Sequence, residues 1–102
     1  MTTLIGSLTD TINHACVKGN NTQKLDLTNR IIVGLELNKV DLRYSDFSGS
    51  TLVDCLFSNC DLRDCNFSDS TIINTKIMDC KRTFINFKNA KFENFELNTM
   101  LF

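Results

Sequence analysis

The side chains best suited to chemistry in this sequence are one histidine, a group of cysteines and several closely spaced acids. His14 is the only histidine. Asp61 and Asp64 could act as general acid and base, but acids recur with a regular period through the middle of the chain. No C-x-x-C pair with zinc-ligand spacing and no glycine-rich phosphate loop is present. The sequence therefore predicts a protein that is not an enzyme, with no cofactor and no metal site.

The cysteines indicate a reducing environment rather than a disulfide framework. Their total of five is odd, and four of them (Cys55, Cys60, Cys65 and Cys80) share one position of a repeat. We expect buried, reduced thiols, with Cys60 and Cys80 stacked within reach of a disulfide. No apolar run approaches the length of a membrane span, and the N-terminus lacks the features of a secretory signal. These features predict a cytoplasmic protein that does not enter membranes.

Charge is unevenly distributed, although the formal net charge is only −1. Residues 40–80 carry seven acids and three bases, whereas the flanking residues 1–39 and 81–102 are each slightly basic. Five of these acids are expected to point outward or to lie at corners of the fold: Asp46, Asp54, Asp64, Asp69 and Asp79. Such acids can complement a basic groove on a partner, or they can simply form a solvated face that the fold requires.

A repeat of five residues positions these side chains, and it runs without interruption from residue 40 to residue 79. The first residue of each unit is small or β-branched, and the second is most often Asp or Asn. The third residue is large and apolar throughout: Leu42, Phe47, Leu52, Phe57, Leu62, Phe67, Ile72 and Ile77. A period of five fits neither an α-helix nor a flat strand and indicates stacked repeats. Four units would complete one square coil, with coils about 4.8 Å apart.

This pattern resembles that of the pentapeptide repeat family, whose motif is A(D/N)LXX. The match is strict over residues 40–79 and looser over residues 25–39 and 80–102. The resemblance implies an all-β fold, a right-handed quadrilateral β-helix of about four coils. It implies little about function, because one fold can host many functions.

The two ends of the chain depart from the repeat. Residues 1–24 place Leu4, Leu8 and Ile12 at helical spacing, so we predict a short helix that caps the β-helix of residues 25–102. Near the C-terminus Arg82 occupies a central position, where burial of an unpaired charge is costly. We therefore expect a bulge at residues 80–84, or an inward turn of Phe84.

The C-terminal end is rich in large apolar residues: Phe92, Phe95, Leu97, Met100, Leu101 and Phe102. Exposed clusters of this size usually mark interfaces, and related proteins often dimerise through their C-terminal coils. We predict a twofold homodimer that uses these six residues. The alternative is a monomer in which they fill the last coil.

Two surfaces are candidates for the functional site. Stacking with a period of twenty aligns Val33, Val53 and Ile73 in an outward apolar column, which either the N-terminal segment or a partner could cover. The five outward acids form the other candidate surface. A rod of duplex-like width that bears acidic rows can mimic DNA, as the resemblance to topoisomerase-binding members of the family implies.

The first hypothesis is an inhibitor or protector of a nucleic-acid-handling protein that acts by DNA mimicry, in the manner of a phage or mobile-element counter-defence factor. Its partner would be a DNA-binding enzyme or a nucleoprotein complex, without direct binding of nucleic acid. The alternative is a scaffold or bacterial effector module that binds a partner protein through the apolar column.

Overall fold

The computed structural model describes residues 2–5 and 24–98, and every regular element within these ranges is a β-strand. The strands are β1 (Thr2–Ile5), β2 (Arg30–Val33), β3 (Glu36–Asn38), β4 (Thr51–Val53), β5 (Leu56–Ser58), β6 (Thr71–Met78) and β7 (Lys91–Leu97). All their pairings are parallel, and they belong to one continuous sheet. The sheet winds into a four-sided β-solenoid of three full turns and part of a fourth, which confirms the predicted β-helix.

The strand pairings have a register of twenty residues. Ile31 lies beside Thr51, and Thr51 lies beside Thr71. The same offset joins the isolated bridges of the other sides, such as that between Asp41 and Asp61. Four five-residue units therefore make one turn. We number the sides in chain order as the first face (25–29, 45–49, 65–69, 85–89), the second face (30–34, 50–54, 70–74, 90–94), the third face (35–39, 55–59, 75–79, 95–98) and the fourth face (40–44, 60–64, 80–84).

Each corner is formed by a residue in the left-handed backbone conformation. The last residue of every unit from Asn29 to Asn94 has a positive φ, between 49° and 71°. Gly, Asn and Asp tolerate this conformation best, and they occupy all of these corners except three. The exceptions are Lys39, Tyr44 and Phe84. The corners therefore explain why most units end in Asn, Asp or Gly.

The second residue distinguishes the two kinds of face in most units. On the first and fourth faces it is Asp or Asn in every described unit except 80–84, which has Lys81, and the Asp or Asn side chain accepts a hydrogen bond from the main-chain N–H two residues later. Ser48 N donates to Asp46 Oδ1 at 2.9 Å, and Ser68 N donates to Asn66 Oδ1 at the same distance. This turn leaves only single bridges between coils. The second and third faces have other residues at this position, such as Thr51, and they form the strands.

The third-position side chains fill the interior of the solenoid. Those of Leu42, Phe47, Phe57 and Phe67 are completely buried. The rings of Phe47 and Phe67 stack with their centroids 4.6 Å apart and their planes nearly parallel. The ring of Phe57 meets both of them edge-on, at 6.0 and 6.3 Å. The core is thus built from layers that repeat with each turn.

Small polar residues at the first position link neighbouring coils. Ser50 Oγ accepts a hydrogen bond from Arg30 N at 2.9 Å and donates one to the carbonyl of Leu27. The thiol of Cys65 donates to the carbonyl of Leu42 at 3.0 Å. These side chains satisfy backbone groups that would otherwise be buried without partners. Ser, Thr and Cys are therefore selected here for hydrogen bonding as well as for size.

The described part of the N-terminal segment differs from the prediction. Thr2–Ile5 forms β1 and pairs with β2, with Leu4 in register with Ile32. A strand at this place supplies partners to the backbone groups of β2, which would otherwise form an open sheet edge. The predicted helix is therefore wrong for these four residues, and its other residues, including Leu8 and Ile12, lie outside the described ranges.

The prediction of a bulge at residues 80–84 is also wrong. Lys81 pairs with Asp61, and Leu62 N donates to the carbonyl of Lys81 at 2.9 Å, so the register continues. Phe84 turns outward and is 82% exposed. Arg82 keeps its central position but is only half-buried, because no described residue passes over the fourth face beyond it. The cost of burial that argued for a bulge applies to positions enclosed between two coils, and the described residues do not enclose Arg82.

Candidate partner-binding surfaces

The second face presents an apolar outer surface over residues 30–34, 50–54 and 70–74. Its strands place Val33, Val53 and Ile73 in one column, as predicted, and all three are half-buried. A second outward column lies beside them on the same strands. We call the two columns together the apolar stripe: Ile31, Val33, Thr51, Val53, Thr71 and Ile73.

The third face has the same strand structure but different outward chemistry. Its strands have the same parallel register of twenty residues, and their third-position side chains are equally buried. The corresponding outward positions hold Glu36, Asn38, Leu56, Ser58, Lys76 and Met78. Strands favour β-branched residues, yet the third face forms without them at these positions. The apolar character of the stripe is therefore not a requirement of the fold.

The five predicted acids are distributed around the solenoid. Asp54, Asp64, Asp69 and Asp79 lie at four different corners, and each is exposed. Their left-handed conformations account for the choice of Asp or Asn at these places. Asp46 instead lies within the first face, where it holds the turn described above.

Three of these acids lie around one face. Asp46 stacks between Asp26 and Asn66 on the first face, and the corners occupied by Asp64 and Asp69 border the same face. The structure thus brings Asp46, Asp64 and Asp69 together and places Asp54 and Asp79 elsewhere. The first face is the most acidic side of the described chain.

The acids of the fourth face are paired with arginines. Arg43 Nη2 lies 2.8 Å from Asp41 Oδ2, and Arg63 Nη2 lies 2.6 Å from Asp61 Oδ2. Arg43 Nε also lies 3.7 Å from Asp61 Oδ2 in the next coil. Hydrogen bonds from the guanidinium groups lower the pKa values of Asp41 and Asp61. These four side chains form a ladder of alternating charges, which leaves the fourth face with little unpaired acidity.

The described C-terminal end of the solenoid is an apolar surface. Phe92 is 45% exposed, and Phe95 and Leu97 are half-buried. Phe87 from the same partial coil packs against both phenylalanines, with ring centroids 5.4 and 6.3 Å away. Met100, Leu101 and Phe102, the other residues of the predicted dimer interface, lie outside the described residues.

The four cysteines of the solenoid are buried, and none of them forms a disulfide. Cys60 N donates to Cys80 Sγ at 3.4 Å, so these two residues stack as predicted. Burial raises the pKa of Cys55, and it raises the pKa of Cys65 to about 12. Such thiols are poor nucleophiles. Within residues 2–5 and 24–98 no three histidine, cysteine or acidic side chains are grouped to hold a metal ion.

The exposure of two aromatic residues was not predicted from the sequence. Tyr44 is 61% exposed and Phe84 is 82% exposed, and both occupy the corner between the fourth and first faces. The signal that could have revealed them is the end position of their repeats, where most units have Asn, Asp or Gly. A large apolar residue there must point to solvent.

The described chain is a repeat solenoid with a filled interior, and its candidate binding surfaces lie on the outside. A family model for pentapeptide repeats matches eight copies over residues 24–59 and 52–81, and the chain belongs to the pentapeptide repeat family. Domains of this kind are structural repeats, typically without enzymatic activity and often engaged in protein interactions. A search of the curated proteins found no match. No helix in the described ranges is long and apolar enough to cross a membrane.

Proposed function

We propose that this chain is a non-enzymatic binding protein that docks a partner protein on the apolar stripe. The observation that carries the proposal is the contrast between the second and third faces, which share their backbone but not their outward residues. Contiguous apolar surface that a fold does not need usually marks an interaction site.

The dimensions of the stripe favour a slender partner element. Three coils about 4.8 Å apart and two columns of side chains give a surface roughly 10 Å in each direction. The area of this surface is far below the roughly 800 Å² that each side of a typical stable protein interface buries. A helix laid along the solenoid axis would fit, because its turns rise about 5.4 Å, close to the spacing of the coils.

The test compares binding by charge variants of two matched faces. The paired substitutions Val53→Asp and Ile73→Asp place two charges on the stripe. The control pair, Ser58→Asp and Met78→Asp, places the same charges in the same coils on the third face. Tagged proteins would be used as bait in lysate at low and high salt, and captured proteins would be identified by mass spectrometry.

The proposal expects a partner that the wild type and the control capture at both salt concentrations and that the stripe variant loses. Apolar docking resists salt, whereas contacts between exposed charges weaken as salt rises. Equal capture by the stripe variant and the control would overturn the proposal. Circular dichroism spectra of the two variants would verify that both remain folded.

The grouping of Asp46, Asp64 and Asp69 around the first face supports a second candidate function, inhibition of a nucleic-acid-handling protein by DNA mimicry. The paired substitutions Asp46→Asn and Asp69→Asn remove two charges but retain the turn and the corner that these residues form. Mimicry predicts that this variant loses a DNA-binding partner which the wild type captures only at low salt and which duplex DNA displaces. Retention of that partner would exclude the first face as its site.

The apolar C-terminal end supports the proposal of a twofold homodimer. Phe92→Asp places a charge on that end, and Asn94→Asp places the same charge on a nearby corner. Analytical ultracentrifugation should show a dimer for the wild type and the Asn94 variant and a monomer for the Phe92 variant. A monomeric wild type would refute the homodimer.

A further inference from the structure

We propose that Tyr44 and Phe84 form a second protein-binding surface on the corner between the fourth and first faces, separate from the apolar stripe. These two residues combine two unfavourable properties. Each is an aromatic residue in the left-handed conformation, with φ of 65° and 60°, and each exposes most of its side chain to solvent. A strained and exposed apolar residue that the fold does not need is a marker of function.

The backbone does not require aromatic residues at this corner. Tyr44 N donates to the carbonyl of Arg63, and Asp64 N donates to the carbonyl of Thr83, so these bonds at the corner do not depend on the side chain that occupies it. Asp64 occupies the same corner one coil away from each aromatic residue with the same backbone conformation. Asn or Asp would therefore serve equally well at positions 44 and 84.

The arrangement indicates the shape of the partner. Tyr44 and Phe84 are two coils apart, which places their backbones roughly 10 Å from each other along the solenoid axis. Both project from a convex corner rather than from a groove. The complementary surface is therefore concave, with two apolar pockets about as far apart, and exposed aromatic anchors of this kind dominate the energetics of protein interfaces.

The surrounding charges favour a protein over a nucleic acid. In the described residues the fourth and first faces together carry six acids and five bases, and the bases Arg43 and Arg63 are already paired with Asp41 and Asp61. Asp64 lies between the aromatic residues. The surroundings of this corner therefore lack the excess of positive charge that binding of a phosphate backbone needs. Since the stripe lies on the second face, away from this corner, the inference does not depend on the proposed function.

Photocrosslinking in the cells that make the protein would test the inference. The crosslinking amino acid p-benzoylphenylalanine would be placed in the full chain at position 84, at position 44 or at the control position 39. Lys39 is the matched control because it is the other corner that is not Asn, Asp or Gly, and it is likewise exposed. We expect one protein to be crosslinked from positions 44 and 84 and not from position 39.

The decisive measurement combines the crosslinking amino acid at position 84 with a substitution of the other aromatic residue, Tyr44. The adduct from position 84 should fall at least about tenfold when Tyr44→Asn is introduced, and it should not fall when Lys39→Asn is introduced. Both substitutions suit a left-handed corner, so the midpoint of urea unfolding should not decrease in either variant. Retention of this adduct in the variant with Val53→Asp and Ile73→Asp would show that the surface formed by Tyr44 and Phe84 binds independently of the apolar stripe.

Several outcomes would overturn the inference. One is the absence of an adduct from position 84, and another is an equal yield from position 39. Adducts that nuclease digests would show a nucleic acid as the ligand, and an adduct of twice the chain's mass would show a second copy. A lower urea midpoint for Tyr44→Asn would show that the aromatic residue serves the fold.

Discussion

Truncation of Phe67 should show how strongly the core depends on its aromatic stack. The side chain is completely buried, and its ring stacks on Phe47 and meets Phe57 edge-on. Truncation of a buried phenylalanine to alanine costs about 3–5 kcal/mol, and each lost aromatic pair adds roughly 0.5–1.5 kcal/mol. Since some of this overlaps, we expect Phe67→Ala to lower the free energy of unfolding by about 4–5 kcal/mol. A domain of this size is stable by only about 5–15 kcal/mol, so the variant would be close to unfolding.

Urea unfolding followed by circular dichroism would measure this loss, and two further variants would identify its cause. Phe87 continues the same stack in the last partial coil but is only half-buried, so Phe87→Ala should cost roughly half as much. Phe67→Leu keeps most of the buried volume and removes the stacking, so it should cost about 1–2 kcal/mol. Equal losses for Phe67→Ala and Phe87→Ala would refute the view that the enclosed coils carry more of the stability than the open end.

Three further predictions concern the corners, the thiols and the charge ladder. Asp69→Asn should change the free energy of unfolding by less than about 0.5 kcal/mol, whereas Asp69→Val should cost roughly 1–2 kcal/mol, because a β-branched residue is strained in the left-handed conformation. Cys65, whose pKa burial raises to about 12, should not react with an aromatic disulfide reagent at neutral pH until urea unfolds the chain. Hydrogen bonds from the arginine partners hold the pKa values of Asp41 and Asp61 below the ordinary aspartate value. The ladder therefore stabilises the fold fully above that ordinary value, and this contribution is lost as pH falls through the lower folded-state values. The Tm of the wild type should therefore fall more between about pH 5 and pH 2 than that of a variant with Asp41→Asn and Asp61→Asn.

The interior of the fold was predictable because the period of five assigns each residue a direction. The buried layer of Phe47, Phe57 and Phe67 and the outward column of Val33, Val53 and Ile73 follow from that period and from stacking every twenty residues. Such assignments need only local repetition and the spacing between parallel strands.

The two kinds of face were also present in the sequence, although the period of five alone does not reveal them. Asp41 and Asp46 occupy the second position of two consecutive units, and Thr51 and Leu56 occupy it in the next two. The pattern then returns with Asp61, and this alternation in pairs marks the sides that form turns and the sides that form strands.

The features that were missed depend on distant or terminal parts of the chain. The pairing of β1 with β2 joins residues 2–5, which lie outside the five-residue repeat, to residues 30–33, so no repeat period predicts it. The position of Arg82 depends on whether another coil passes over the fourth face, and the composition of its own unit does not determine this. Hydrophobic patterns also gave no reason for Phe84 to point outward, since only the corner conformation forces it there.

The corner residues show which acidic side chains the fold does not require. Asn and Asp serve the left-handed conformation equally well, so the backbone does not dictate the choice between them. The end corners carry Asn29, Asn89 and Asn94, while the acids Asp54, Asp64, Asp69 and Asp79 occupy middle corners. A variant with Asn at all four acidic corners should therefore keep the fold and lose four negative charges. If such a variant remains soluble and active in every binding assay, the acidity of these four corners has no role in recognition. If binding is lost while the unfolding midpoint is unchanged, the corner charges themselves are functional.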